Sequence, residues 1–167
     1  MKLVVQIPCL NEGETLAEVL ETIPRKIKGF KSVEVVVIDD GSTDNTIAVA
    51  QAHGVDAVIR HRSTRGLAEA FRSGVDYALT HGADVLVNTD GDNQYPQSDI
   101  PKLVGPIVDG SADIVVGDRR TNTITHFSRG KKLLQRLGSA VVNRAAGTQI
   151  PDAASGFRAY SRTALLK

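Results

Sequence analysis

Carboxylates dominate the residues that could do chemistry in this 167-residue chain. Asp39-Asp40-Gly41-Ser42-Thr43-Asp44 and Asp90-Gly91-Asp92-Asn93-Gln94 each follow a short apolar run. Pro8-Cys9-Leu10-Asn11-Glu12 and Gly117-Asp118-Arg119-Arg120 do the same. Gathering carboxylates is costly unless something positive sits among them. A hard divalent cation, Mg²⁺ or Mn²⁺, is the economical answer, because it takes one or two carboxylates together with substrate phosphates. In Asp90-x-Asp92, alternate residues at a strand end would project to one side and address one ion, or an ion and a ribose. Asp-Gly pairs also make plain turns, and Asp40-Gly41-Ser42 alone does not separate the two readings.

The elements that must position these residues alternate. Strands are expected over 2–7, 33–39, 56–60, 84–89 and 112–117, with another over 155–160. Val35-Val36-Val37-Ile38 is continuously apolar, as in a parallel strand covered on both faces. Leu16, Val19, Leu20 and Ile23 have helical spacing, as do Leu67, Ala70, Phe71, Gly74, Val75 and Ala78, and Leu133, Leu134, Leu137, Val141 and Ala145. Ser42 and Ser98 are expected N-caps, and Pro106 should kink or end the fourth helix. The expected fold is α/β: an open, mostly parallel sheet with helices on both faces. Ligands in such sheets bind at the carboxyl ends of strands, where the acidic runs fall. One domain over 1–167 is expected. The chain stops about one turn after a possible cap at Ser161, so a longer protein is expected to continue it.

Composition excludes several classes. A formal net charge of +1 gives no footprint for general nucleic-acid binding. No apolar run approaches the ~20 residues that span a bilayer. Met1 leads straight into a strand, unlike a secretory leader, which points to the cytoplasm. The single cysteine, Cys9, excludes an internal disulfide and reads as a small semi-buried side chain. His53, His61, His81 and His126 lack zinc spacing and read as surface or loop residues, with His126 in a loop that could approach a ligand. The first strand is not followed by G-x-G-x-x-G, and no P-loop is present. A phosphoryl-accepting receiver would carry its acidic pair at the first strand, and a sugar-nucleotide pyrophosphorylase would carry an N-terminal Gly-rich basic loop.

Four segments in order carry a resemblance: Ile7-Pro8-Cys9-Leu10-Asn11-Glu12, Val37-Ile38-Asp39-Asp40-Gly41-Ser42-Thr43-Asp44, Asp90-Gly91-Asp92-Asn93-Gln94 and Ser155-Gly156-Phe157-Arg158. Together they resemble the inverting family-2 glycosyltransferases of GT-A fold. They are most similar to the branch of dolichyl- and polyprenyl-phosphate sugar transferases. The resemblance covers essentially the whole chain. It implies a nucleotide diphosphate sugar as donor, with UDP favoured over GDP, and Mg²⁺ or Mn²⁺ as cofactor. Pro8, Asn11 and Glu12 match the first nucleotide-binding loop, and Asp39 and Asp40 the pair holding base and ribose. Gly66, in Arg65-Gly66-Leu67-Ala68, matches a helix start near the nucleotide. Asp90 matches a ribose or metal contact, and Asp92 and Gln94 match metal ligands. Arg119 matches a basic residue facing phosphates. Asp152 matches the acidic position that serves as base when the acceptor is a hydroxyl. Glycine replaces the more usual alanine inside D-x-D. The Q-x-x-R-W motif of polysaccharide polymerases would lie beyond residue 167.

The resemblance leaves the acceptor open. A lipid phosphate is already ionised and needs no base, whereas a saccharide hydroxyl does. Arg129, Lys132 and Arg136 share a helical face flanked by Lys131, which suits a peripheral place at the cytoplasmic membrane face or a plain solvated surface. A non-catalytic nucleotide-sugar-binding module is the alternative reading.

Overall fold

The computed structural model describes residues 1–118 and 155–167. Six strands among them form one sheet: β1 (Lys2–Cys9), β2 (Ser32–Asp39), β3 (Ala57–Arg60), β4 (Val85–Asn88), β5 (Ile114–Val116) and β6 (Arg158–Ser161). The helices are α1 (Leu16–Thr22), α2 (Thr46–Ala52), α3 (Leu67–Thr80), α4 (Ile100–Val108) and α5 (Arg162–Leu165). Strand order is β3-β2-β1-β4-β6-β5. β1 pairs in parallel with β2 and β4, and β2 with β3, whereas β6 is antiparallel to both β4 and β5.

Helices cover both faces, as the continuous apolar runs require. Leu3, Val5, Ile7, Val35 and Val37 face a core completed by α1, α2 and α4. Val4, Val36, Ile38 and Leu86 face Ala70 and Ala78 of α3. Gln6 breaks the pattern on the α3 side and is fully buried. Its Nε2 donates to Asn88 Oδ1 at 2.8 Å, and Asn88 Nδ2 donates to Gly156 O at 2.8 Å. This polar chain ties β1 and β4 to the approach to β6. It fits because Gly74 of α3 presses against the Gln6 amide, where a β-carbon would collide.

Three local expectations need correction. Ser42 does not cap α2; its hydroxyl accepts from Asn11 N at 2.9 Å, while Asp44 Oδ1 takes Thr46 N at 2.9 Å. Ser98 lies inside a 3₁₀ turn (Gln97–Asp99), and the residue preceding α4 is Asp99. His61 is in the loop that follows β3, as expected, but it is buried and not at the surface; its N–H donates to Asp39 O at 2.8 Å, one step past the strand. His81 is exposed and His53 half-buried, each at a helix C-terminus. Pro106 lies within α4, which ends two residues later at Val108. The expected strand over 155–160 begins at Arg158. His126 and the helical pattern from Arg129 to Ala145 lie outside the described residues.

Candidate active site

The carboxyl ends of β1, β2 and β4 are neighbours in the sheet, and the loops that follow them are bonded together. Asn11 has a left-handed backbone (φ 57°), and its side-chain oxygen accepts from Thr43 N at 2.9 Å. Glu12 N donates to Thr46 Oγ1 at 2.9 Å and Gly13 N to Asp44 Oδ2 at 3.0 Å. Thr15 Oγ1 lies 3.0 Å from Glu12 Oε2 and 2.7 Å from Gly91 O, which joins the loop after β4 to the same frame. Asp44 is acidified, first by its hydrogen bonds from the Thr46 side chain and backbone.

Asp39 and Asp40 have different surroundings. Asp39 is 0% exposed. Its Oδ1 accepts from Ser42 N at 3.2 Å, while Oδ2 has no hydrogen-bond partner. Arg60 Nε approaches Oδ2 at 3.5 Å without bonding geometry, from a side chain that is 63% exposed. Asp40 is 4% exposed and fully engaged. His61 Nδ1 and Arg65 N reach Oδ1 at 2.7 and 2.9 Å, and Gly66 N reaches Oδ2 at 2.8 Å. Burial pushes its carboxyl up, but the bonds from His61, Arg65 and Gly66 together outweigh burial and hold it below the ordinary value. Gly66 immediately precedes α3 with φ 91°, a backbone that L side chains resist.

A cavity of about 280 Å³ opens at these strand ends. Pro8, Glu12, Asp40, Gly66, Asp90 and Asp92 all line it, so six expected site residues come together. Asn11, Asp39 and Gln94 do not line it. The reason Asp90 and Asp92 share a cavity differs from the expected one. β4 ends at Asn88, so the two aspartates lie past the strand in a turn and do not alternate along it. Asp92 Oδ1 accepts from Gln94 N at 3.1 Å, which curls the turn back. Asp90 packs on Gly156, where a β-carbon would meet its Oδ2 at 2.7 Å. The Gln94 side chain is exposed, and Asp118 at the end of β5 lines neither this cavity nor the next one. Arg119 and Asp152 lie outside the described residues.

A second cavity of about 600 Å³ adjoins the first, with Asp90 and Leu67 common to both. Phe71, Tyr95 and Tyr160 give it aromatic walls, and Asn88 and Arg158 give it polar ones. Sequence reasoning did not single out Tyr95, yet its hydroxyl accepts from Gly156 N at 2.8 Å and its ring stacks on Phe157 at 5.3 Å. Arg158 appeared only as part of a motif. Its position opposite Asn88 across the β4–β6 pairing brings it to the site, and Nε donates to Ser155 O at 2.7 Å. No local spacing signals that pairing.

Among the described residues, no cluster of three or more His, Cys, Asp or Glu side chains could hold a metal alone. Asp90 and Asp92 on one cavity still fit a divalent ion that takes its other ligands from a bound diphosphate. Cys9 offers no competing nucleophile. Burial first, then the charges of Glu12, Asp39, Asp90 and Asp44, push its thiol far above the ordinary range.

Comparison with known proteins agrees with this geometry. The family model described as glycosyl transferase family 2 matches residues 4–167. Polyprenol monophosphomannose synthase of Mycolicibacterium smegmatis is 31% identical, the match covering 98% of this chain and 63% of that protein. The UDP-N-acetylglucosamine–dolichyl-phosphate N-acetylglucosaminyltransferase of Methanococcus voltae is 27% identical, covering 95% and 69%. Glucosyl-3-phosphoglycerate synthase of Mycobacterium tuberculosis, solved with Mn²⁺, UDP-glucose and phosphoglyceric acid, superposes with a TM-score of 0.74 at 28% identity, covering 97% and 57%. The chain spans between 50% and 69% of the length of the curated relatives it matches. With the motifs in order, a GT-A-like sheet and a family match over nearly its whole length, the chain belongs to glycosyl transferase family 2.

Proposed function

We propose that this chain carries the donor site of a metal-dependent, inverting glycosyltransferase that moves a sugar from a nucleotide diphosphate sugar, UDP favoured over GDP, to a polyprenyl phosphate. The observation that carries this reading is the convergence of Asp90, Asp92 and the Asp40-anchored Gly66 turn on one cavity at the ends of parallel strands. The nucleoside sits at the β2 end, where Asp39 Oδ2, buried without a hydrogen bond and paired only with Arg60, would accept an imide N–H of the base once the exposed Arg60 side chain moves aside. A divalent ion held by Asp92 and Asp90, which Gln94 would join only by turning in from its exposed position, would supply Lewis-acid neutralisation of charge on the departing diphosphate. Glu12 and Pro8 form the wall against which the donor is oriented. The adjoining cavity, reached past Asp90, is large enough for the sugar and the acceptor headgroup, and its aromatic walls suit an apolar sugar face.

Attack from the face opposite the diphosphate inverts the anomeric centre. An acceptor phosphate needs no proton removed, so Asp152 then orients groups, while Arg119 adds charge near the phosphates. Among the described residues no helix is long and apolar enough to cross a membrane. The lipid-phosphate acceptor is supported by the named activities of the Mycolicibacterium and Methanococcus relatives. Transfer of radiolabelled sugar from UDP-sugars or GDP-sugars to polyprenyl phosphate by the full-length protein tests it. A product that resists base and is cleaved by mild acid is expected. Binding of donor without transfer to any acceptor would establish the binding-module alternative instead.

A further inference from the structure

β3 ends at Arg60 in register with Asp39, so the next residue on each strand, His61 and Asp40, leave the sheet side by side. The His61 ring is buried, with Nδ1 2.7 Å from Asp40 Oδ1 and Nε2 2.9 Å from Ser73 Oγ. An ionised carboxylate only accepts, so Nδ1 carries the hydrogen, and the Ser73 hydroxyl is free to donate to Nε2. One ring therefore bridges the end of β2 and the second turn of α3.

Asp40 passes this constraint on. Its two oxygens hold the backbone N–H groups of Arg65 and Gly66 at 2.9 and 2.8 Å, the turn that opens α3. Gly66 has no side chain to cap the helix, and the first turn of α3 has no side-chain cap of its own. Gly41 lets the β2 loop close on the same turn, since a β-carbon there would meet Thr64 N at 2.9 Å. Gly66 and Leu67 then form a wall of the 280 Å³ cavity, whereas His61 lines neither cavity. The wall is thus set by Asp40, and Asp40 is oriented by a residue outside the site.

We propose that His61 is a positioning residue for donor binding: through Asp40 it fixes the Arg65–Gly66 turn and the first turn of α3 against the donor diphosphate, with Ser73 as its second anchor. This rests on reading the cavity as the donor site. The test uses full-length protein, Mn²⁺ and calorimetric titration of UDP and GDP, with melting temperature recorded for each variant. Loss of one hydrogen bond to a charged group predicts that His61→Ala weakens nucleotide binding by about tenfold or more. His61→Asn keeps an N–H on Cγ for Asp40 and should bind within about threefold of wild type. His61→Gln carries its amide toward Ser73 and away from Asp40, and should bind about as weakly as His61→Ala. The Asn-against-Gln pair decides the matter even if the alanine variant does not fold. Equal Kd values for Asn, Gln and wild type, whatever their melting temperatures, overturn the positioning role and leave the donor site standing. A wild-type protein that binds neither nucleotide overturns both.

Discussion

Adjacent aspartates of one chemistry should respond unequally to the same substitution. In Asp40→Asn one side-chain oxygen survives and can still serve His61 Nδ1 and Arg65 N, but the amide nitrogen then faces Gly66 N–H across the 2.8 Å now bridged by an oxygen. The reverse orientation turns the amide on Arg65 N instead. The first orientation loses one charge-assisted bond and the reverse loses two, since His61 Nδ1 and Arg65 N share one oxygen; the first is therefore favoured, with two donors facing each other at Gly66. Bonds to charged groups contribute about 1.5–3 kcal/mol, and the neighbouring cavity admits water that relieves part of the loss, so about 2 kcal/mol is expected. For a domain of this size that lowers Tm by roughly 4–8 °C. In Asp39→Asn the Ser42 N–H keeps its acceptor, and the lost partner is Arg60, which at 63% exposure is screened by solvent. A stability change within about 1 kcal/mol is expected there, since the exposed Arg60 end of the pair is screened by water and a neutral amide costs less to bury than the carboxylate it replaces. Nucleotide binding should fall in Asp39→Asn, because the acceptor that makes no hydrogen bond within the protein becomes a donor. Urea titration with an unchanged m-value, paired with UDP calorimetry, reads both quantities. Equal destabilisation of the two variants, or Asp40→Asn within about 0.5 kcal/mol of wild type, would refute the division of labour.

Other expectations follow from the same contacts. Asp40 titrates below its ordinary 3.8 when folded, so its contribution to stability is present above that value and is lost as pH falls through the lower folded value. Urea midpoints should therefore drop more steeply below about pH 4 in wild type than in Asp40→Asn, and parallel curves would contradict this. The buried Cys9 thiol, raised by burial and by four neighbouring carboxylates, should resist iodoacetamide at pH 8 in folded protein and react in urea. Rapid labelling of the folded state, followed by mass spectrometry, would count against the packing described for it.

What the sequence discloses is what is local and periodic. Val35 to Ile38 reads as a strand buried on both faces and is one, because covering both sides of a parallel sheet demands apolar residues throughout. The order of acidic runs on successive strand ends likewise brings Glu12, Asp40, Asp90 and Asp92 to one cavity. Pairings between distant segments are not periodic and stay hidden. The antiparallel β6 inserts between β4 and β5, which moves the Asp118 end away from the acidic centre and brings Arg158 opposite Asn88. His61 escapes notice for a similar reason: only the β2–β3 register sets it beside Asp40. Ser42 looks like a cap by type, but the Asn11 backbone N–H competes for its oxygen from 31 residues away.

The central claim, a donor site completed by a divalent ion at Asp90 and Asp92, is tested most directly by calorimetric titration of UDP and GDP into full-length protein with Mn²⁺ and with EDTA, in wild type and Asp92→Ala. One nucleotide should bind wild type only with Mn²⁺ and bind Asp92→Ala at least about tenfold more weakly, the loss expected for one charged ligand. Binding that is equally tight with EDTA, or equally tight in Asp92→Ala, would contradict it.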